Sequence, residues 1–303
     1  MRAAALTSFG PPEVLRVMEL DEPQAAAGQV RVRVKVAGVQ PFDCGVRNGE
    51  FPQSRVGDFP IVPGNEFAGV VDQVGEGVSG FSVGDAVLGF NTLGCYAEYI
   101  AVGADQVVPK PDAMPWEVAG GFSGAAQGAR NALLEMKVAP GETILINGAA
   151  GGLGTMALQL AKLWGVTTVI GTAREVNHDH LRSLGAIPLT YGDGLVERVR
   201  AVAPDGVDAS LASGVEGLRA SLELTKDKNR VVTMVWNDEI EALGVHDWVG
   251  VRTAAGLAEM VGFHLRGECE VHLRGVYPLD QAAEAQRDVG KGHGRGKVVI
   301  TID

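Results

Sequence analysis

Aromatic residues supply only 6% of this chain, and cysteine occurs three times in 303 residues. Cys44, Cys95 and Cys269 are odd in number and far apart. That pattern supports neither a disulfide framework nor a zinc cluster of closely spaced thiols. The three are expected to be packed, free thiols in a reducing compartment. Positive charge is also scarce: 26 Lys and Arg face 37 Asp and Glu, a formal net charge of −11. A surface of that sign repels nucleic acid and anionic lipid, and no Lys/Arg-rich run offsets it. No apolar stretch approaches the roughly 18–20 residues of a membrane helix. The opening "MRAAALTSFGPPEV" lacks the apolar core of a signal peptide. These absences predict a cytoplasmic protein with no nucleic-acid or membrane partner.

What is present falls into two textures. Residues 1–112 read as β-rich. "QVRVRVKVAGV" (29–39) alternates apolar and charged residues, the period of a half-buried strand. "FAGVVDQVG" and "DAVLGF" follow, divided by Gly-rich turns. "DQVVPKPDAMP" (105–115) carries three prolines and marks a boundary. Beyond it, an Ala/Gly-rich helix is predicted over 115–136. Strands and helices then alternate: "TILIN" (143–147), "TTVIGT" (167–172), "NHDHLRSLG", "VDASLA" (207–212), a helix near 215–224 and "RVVTMVW" (230–236). This alternation predicts a doubly wound parallel sheet over 113–250. A strand (269–276), a helix (279–290) and "GKVVITI" (296–302) close the segment 251–303.

One stretch carries chemistry. "ILINGAAGGLGTMALQLAKLWG" (144–165) runs from a buried strand through Ala149-x-Gly151-x-x-Gly154 into an amphipathic helix. Leu153, Met156, Ala157, Leu160, Ala161 and Trp164 share one face. In this context, the pattern predicts a dinucleotide cradle built from Ala150, Gly151, Gly152, Leu153 and Gly154. Gly151 lets backbone approach a pyrophosphate, Gly154 lets the helix close on the sheet, and the helix N-terminus offers unpaired N–H groups. The second strand ends Thr172-Ala173-Arg174-Glu175. A guanidinium there suits a 2′-phosphate, so NADPH is the expected cofactor. If Glu175 points inward, NAD returns. Tyr191 either adds a hydroxyl to the same phosphate or packs.

With these pieces in place, the chain resembles the zinc-independent medium-chain dehydrogenase/reductases of the quinone-oxidoreductase, zeta-crystallin-like type. The matching stretches are "AGVQPFDCGVRNGEFP", "VPGNEFAGVVDQVGEGVSGFSVGD", "VAPGETILINGAAGGLGTMALQLAK", "NHDHLRSLGA" and "GRGKVVI". The resemblance implies a GroES-like β-barrel catalytic domain, a Rossmann domain, a C-terminal segment returning largely to the first, and a homodimer.

It also bears on metal. The alcohol-dehydrogenase branch has Cys where this chain has Gln40, and His where it has Asn65. Phe42 replaces a relay hydroxyl, and only Cys95 lies where a four-cysteine loop would fall. Cys44 reads as a structural thiol, and Glu66 alone cannot hold a cation. The first histidine is His178, and His178, His180, His246, His264, His272 and His293 show no metal spacing. No metal is expected.

The remaining chemistry is hydride transfer to an acceptor that needs no Lewis acid: a quinone or an α,β-unsaturated carbonyl. The alternatives are a dedicated enoyl reductase, or an NADPH-binding protein with little activity. The resemblance implies Gln40, Phe42, Asn65 and Gln127 as pocket residues. It implies main-chain contacts from Thr233 and Met234 to the carboxamide. Lys297 either approaches the cofactor phosphates or is solvated. Gly128 stands where relatives often place Thr, and Gly45 where some place Tyr. No general acid is evident; Tyr96 and Tyr99 read as packing residues.

Overall fold

The structure, a computed structural model, describes residues 1–235, 238–245 and 250–302, without the side chain of Asp238. His246 and the last residue of the strand read over 230–236 lie outside the described residues. In chain order, β1 (Arg2–Ala5) and β2 (Arg16–Glu19) precede β3 (Gln29–Val39), α1 (Pro41–Asn48), α2 (Gln53–Val56), β4 (Glu66–Val74), β5 (Ala86–Phe90), β6 (Tyr99–Gly103) and β7 (Val107–Pro109). Then follow α3 (Trp116–Gly120), α4 (Ser123–Glu135), β8 (Thr143–Ile146), α5 (Gly152–Leu163), β9 (Thr168–Thr172), α6 (His178–Ser183), β10 (Ile187–Leu189), α7 (Leu195–Val202), β11 (Ala209–Ala212), α8 (Gly214–Leu224) and β12 (Val231–Thr233). The chain closes with α9 (Asp238–Ala242), α10 (Ala254–Leu265), β13 (Leu273–Pro278), α11 (Ala282–Gly290) and β14 (Lys297–Thr301).

Two compact units result. The first comprises Met1–Gly124, Thr253–Leu265 and the chain from Val271 onward; the second comprises Ala125–Arg252 and Arg266–Glu270. The first is the GroES-like unit. Its larger sheet has the order β13-β14-β3-β4-β5-β7, with β6 also paired to β3. The alternation in β3 does what its period requires: Val30, Val32, Val34 and Val36 are buried, while Arg33 is exposed. Phe67, Tyr96, Val298 and Ile300 complete that core. The C-terminal β14 runs antiparallel to β3, pairing Val298 with Val39 and Thr301 with Val36.

The helix expected over 115–136 is two helices, and α3 belongs to the first unit. Glycines explain the close fit. A Cβ on Gly120 would overlap the side chain of Val36, and one on Gly121 would lie 2.8 Å from a Val299 methyl. The paired glycines therefore let the chain pass directly over β3 and β14.

The second unit carries a five-stranded parallel sheet of order β10-β9-β8-β11-β12. Ile144, Leu145 and Ile146 of β8 are fully buried, as expected of a central parallel strand. The winding reverses at β8: β9 and β10 lie to one side, β11 and β12 to the other. Parallel sheets bind ligands beyond the carboxyl ends of their strands at such a reversal. The glycine knot occupies that position. All three cysteines are free and buried.

Candidate active site: a cofactor cradle and a buried polar cluster

The knot uses its glycines for different reasons. Gly148 has φ +64°, the left-handed region that lets the strand turn at once. Gly154 faces the backbone: a Cβ there would overlap the Gly148 carbonyl and sit 2.6 Å from the Ala149 Cα. Gly151 is extended, at φ −67° and ψ 170°, and an added Cβ would meet only the Gly148 carbonyl, at 3.4 Å. Space is thus left above Gly151 but not above Gly154. The helix α5 begins at Gly152 with no side chain capping it. Its first-turn N–H groups lack intrahelical acceptors by construction. Ala149 and Ala150 are buried beneath the turn, and Leu153 is half-buried.

Cross-strand bonds hold this turn. The Thr172 hydroxyl donates to Asn147 Oδ1 at 3.3 Å and accepts from the Gly148 N–H at 3.2 Å. Asn147 Nδ2 donates to Ser221 Oγ at 3.1 Å. Thr172 is therefore a buried peg behind the cradle. Asn147 and Ser221 escaped the sequence reading, because nothing local marks a hydrogen bond between strand β8 and helix α8. Ala173 is buried, with its N–H on the Leu189 carbonyl. Arg174 and Tyr191 converge: Arg174 Nε donates to the Tyr191 hydroxyl at 3.2 Å, and both are exposed. Glu175 opens a short 3-10 turn and is exposed. His180 Nε2 lies 3.2 Å from Thr155 Oγ1, and His178 Nε2 lies 3.3 Å from the Ala173 carbonyl.

The far end of the cradle gathers three segments. A Cβ on Gly128 would lie 2.9 Å from Leu153 Cδ1 and 3.5 Å from Met234 Cε. Gln127 is buried, Met234 is 46% exposed, and the Thr233 hydroxyl is engaged with the main chain of Val235. The helix after the boundary, the knot and the loop after β12 thus meet at one place.

In the first unit, Gln40 joins a buried polar cluster centred on Glu66. Gln40 caps α1, with Pro41 at its first helical position. Gln40 Nε2 donates to Glu66 Oε1 at 2.6 Å, and Lys297 Nζ donates to the same oxygen at 2.6 Å. Glu66 Oε2 accepts from the Gly124 N–H at 2.6 Å. Glu66 lies against Gly38, where any Cβ would overlap its side chain. Lys297 is not solvated: it is buried, because an ammonium taken out of water needs a carboxylate and Glu66 supplies one. Phe42 packs on Phe51 with ring centroids 4.8 Å apart. Asn65, just before β4, accepts the Asn91 N–H on its carbonyl. Tyr99 stacks under Arg31, at 5.0 Å.

Asp43, which the sequence reading passed over, is fully buried one helical turn from Gln40. Its Oδ2 accepts from the Gln40 N–H at 2.8 Å and from the Tyr96 hydroxyl at 2.9 Å. Its Oδ1 accepts from the Gly64 N–H at 3.2 Å. Burial pushes this carboxyl up to about 7, against the pull of its donors. Burial likewise pushes the Cys44 thiol up to about 12, the condition of an inert packed thiol. The signal for Asp43 was present: an acidic residue three after a helix N-cap can close back on the cap N–H.

The donor set around Gln40 does not fit zinc. Two amides and a carboxylate whose oxygens already face an ammonium, an amide and a main-chain N–H leave no soft or imidazole ligand. No group of three or more His, Cys, Asp or Glu able to hold a metal ion occurs among the described residues.

Comparison with known proteins agrees with the architecture. Residues 26–112 match the alcohol dehydrogenase GroES-like domain family, and residues 184–300 match the family described as zinc-binding dehydrogenase. Mouse quinone oxidoreductase is 29% identical, with 100% of this chain and 98% of that protein covered. The solved quinone oxidoreductase of Coxiella burnetii superposes with a TM-score of 0.90 at 26% identity, covering 100% and 99%. The chain belongs to the medium-chain dehydrogenase/reductase superfamily, in its quinone oxidoreductase/VAT-1-like family. It is an oxidoreductase of that superfamily. A further member of the same fold, mycobacterial Rv1454c, was solved in complex with NADPH; it is 27% identical, with a TM-score of 0.85, covering 99% of this chain and 100% of that one. No described helix is long and apolar enough to cross a membrane.

Proposed function

We propose that this protein is an NADPH-dependent, metal-free reductase of quinones or related α,β-unsaturated carbonyl acceptors. The observation that carries the reading is the Arg174–Tyr191 pair beside the Gly151 cradle. A guanidinium whose Nε is steadied by a phenol keeps its terminal N–H groups for a phosphate fork. That arrangement selects the 2′-phosphate over a ribose hydroxyl, and the exposed Glu175 does not oppose it.

In this reading, Ala150, Gly151, Gly152, Leu153 and Gly154 line the pyrophosphate, Thr172 and Ala173 back the adenosine end, and Thr233 and Met234 meet the carboxamide. When bound, the reduced nicotinamide supplies the hydride. Gln40 and Asn65 serve the acceptor side with Phe42, and Gln127 serves the cofactor side. One N–H of the Gln40 amide is held by Glu66, so the second is the one aimed at an acceptor oxygen. Water supplies the proton to the hydroquinone anion or enolate that hydride addition leaves. The same reading makes the protein a cytoplasmic homodimer, with no nucleic-acid or membrane partner.

Calorimetric titration with NADPH and NADH, followed by NADPH oxidation with 1,4-naphthoquinone, a 2-enal and an enoyl thioester, tests it. The expected result is NADPH preference and turnover of quinone or enal. Dominant turnover of the thioester reverses the order in favour of an enoyl reductase. Tight NADPH binding with no turnover reduces the protein to a nucleotide binder.

A further inference from the structure

The pocket side of the first unit is organised by a residue that does not itself line it. Gln40 and Asn65 come from different segments, the start of α1 and the loop before β4. A single buried carboxylate joins them. Asp43 holds the Gln40 N–H with Oδ2 and the Gly64 N–H, one residue before Asn65, with Oδ1. The Tyr96 hydroxyl is the third donor. On its other side, Gln286 Nε2 donates to the Asp43 carbonyl, and Arg47 Nη1 holds Gln286 Oε1 at 2.9 Å. We propose that Asp43 is a positioning residue for the reductive half-reaction: its ionised form sets the spacing of Gln40 and Asn65, and its protonation loosens both. This rests on the pocket assignment above.

Three donors converge on two oxygens, and an ionised carboxylate accepts all three. A protonated carboxyl gains a hydrogen where a donor already points. Either Tyr96 rotates to accept, or one main-chain N–H is left buried and unpaired. The groups facing the carboxyl are Tyr96, Lys297 and Glu66, with Cys44 beside it on α1 and Arg47 and Glu50 at the end of that helix, acting on Cys44. Lys297 favours the ionised form, whereas Glu66 and burial oppose it. Burial dominates and brings the transition to about 7. Tyr96 lowers the midpoint by donating to the anion.

The test compares wild type, Asp43→Asn and Tyr96→Phe between pH 5 and 9. In wild type, kcat/KM for 1,4-naphthoquinone should fall on the acid side of a midpoint near 7. Asp43→Asn carries a permanent N–H₂ in place of one oxygen and should be flat, at the level of the wild-type acid limb, about tenfold to hundredfold below the wild-type alkaline value. Tyr96→Phe should keep the limb but move its midpoint upward. A wild-type limb retained in Asp43→Asn, or a midpoint unmoved in Tyr96→Phe, overturns the proposal. Tyr96→Phe alone decides should Asp43→Asn not fold. A second readout is independent of turnover: the ¹⁵N–¹H resonances of the Gln40 and Gly64 amides should titrate with one shared midpoint. If they do and no acceptor is reduced, the reductase reading fails while the linkage stands. If they do not, the linkage fails whatever the enzyme reduces.

Discussion

Lys297 Nζ and Glu66 Oε1 lie 2.6 Å apart with both side chains buried, at the start of β14 and of β4. Glu66 thereby ties the last strand of the chain to the fourth, with Gln40 and Gly124 as further donors. Removing one partner strands the other charge away from water, at a cost of about 3–5 kcal/mol. Lys297→Met should lose that much in urea unfolding. The double variant Lys297→Met, Glu66→Gln should recover a large part of it. A double variant no more stable than Lys297→Met would show that the pair is not the source of the loss.

Gly151 and Gly154 should separate ligand approach from packing. Gly154→Ala pushes a methyl into the Gly148 and Ala149 backbone, which cannot yield as a side chain end can. It should cost about 1–3 kcal/mol of stability. Gly151→Ala meets only one carbonyl, at 3.4 Å. It should leave the unfolding midpoint nearly unchanged while weakening NADPH binding about tenfold or more, from the lost close approach. Equal NADPH affinity in Gly151→Ala and wild type would mean that no phosphate lies over Gly151.

How far the sequence foretold this depends on where a signal lives. The cradle was legible because strand, glycines and helix are contiguous, and period and spacing are local quantities. Val30 to Val36 alternated and did become the core stripe of β3. The Lys297–Glu66 pair was not legible: its partners are 231 residues apart in sequence, and nothing local to Lys297 points to a buried carboxylate partner. The split between α3 and α4 was hidden for a related reason. Gly120 and Gly121 look like tolerated glycines in a helix until Val36 and Val299 arrive beside them. Asp43 lay in between, since its capping spacing is local but its bonds to Gly64 and Tyr96 are not.

Arg174 and Tyr191 should contribute unequally to cofactor choice. Arg174→Ala removes a charged fork and should weaken NADPH by about 1.5–3 kcal/mol, roughly tenfold to hundredfold, with NADH unaffected. Tyr191→Phe removes only a neutral partner of the guanidinium and should cost NADPH a few-fold. The NADPH loss in Arg174→Ala should shrink as salt rises, because the site is exposed. A loss shared equally by NADH would place Arg174 away from the 2′ position.

Asp43 should also leave a mark on stability. Its carboxyl titrates near 7 in the folded chain and at the ordinary 3.8 in the unfolded one. Between those values the native state holds a proton that the unfolded state has released. Native stability from this group is therefore present in full below about 3.8 and is lost as pH rises toward about 7. The slope approaches about 1.4 kcal/mol per pH unit inside the window and vanishes above it. Asp43→Asn cannot titrate, so wild type minus variant, measured by urea unfolding from pH 4.5 to 8.5, isolates the effect. That difference should fall with rising pH and level off beyond neutrality. A difference that stays flat across this range would mean that the three donors outweigh burial, and that Asp43 is ionised throughout the range in which the enzyme works.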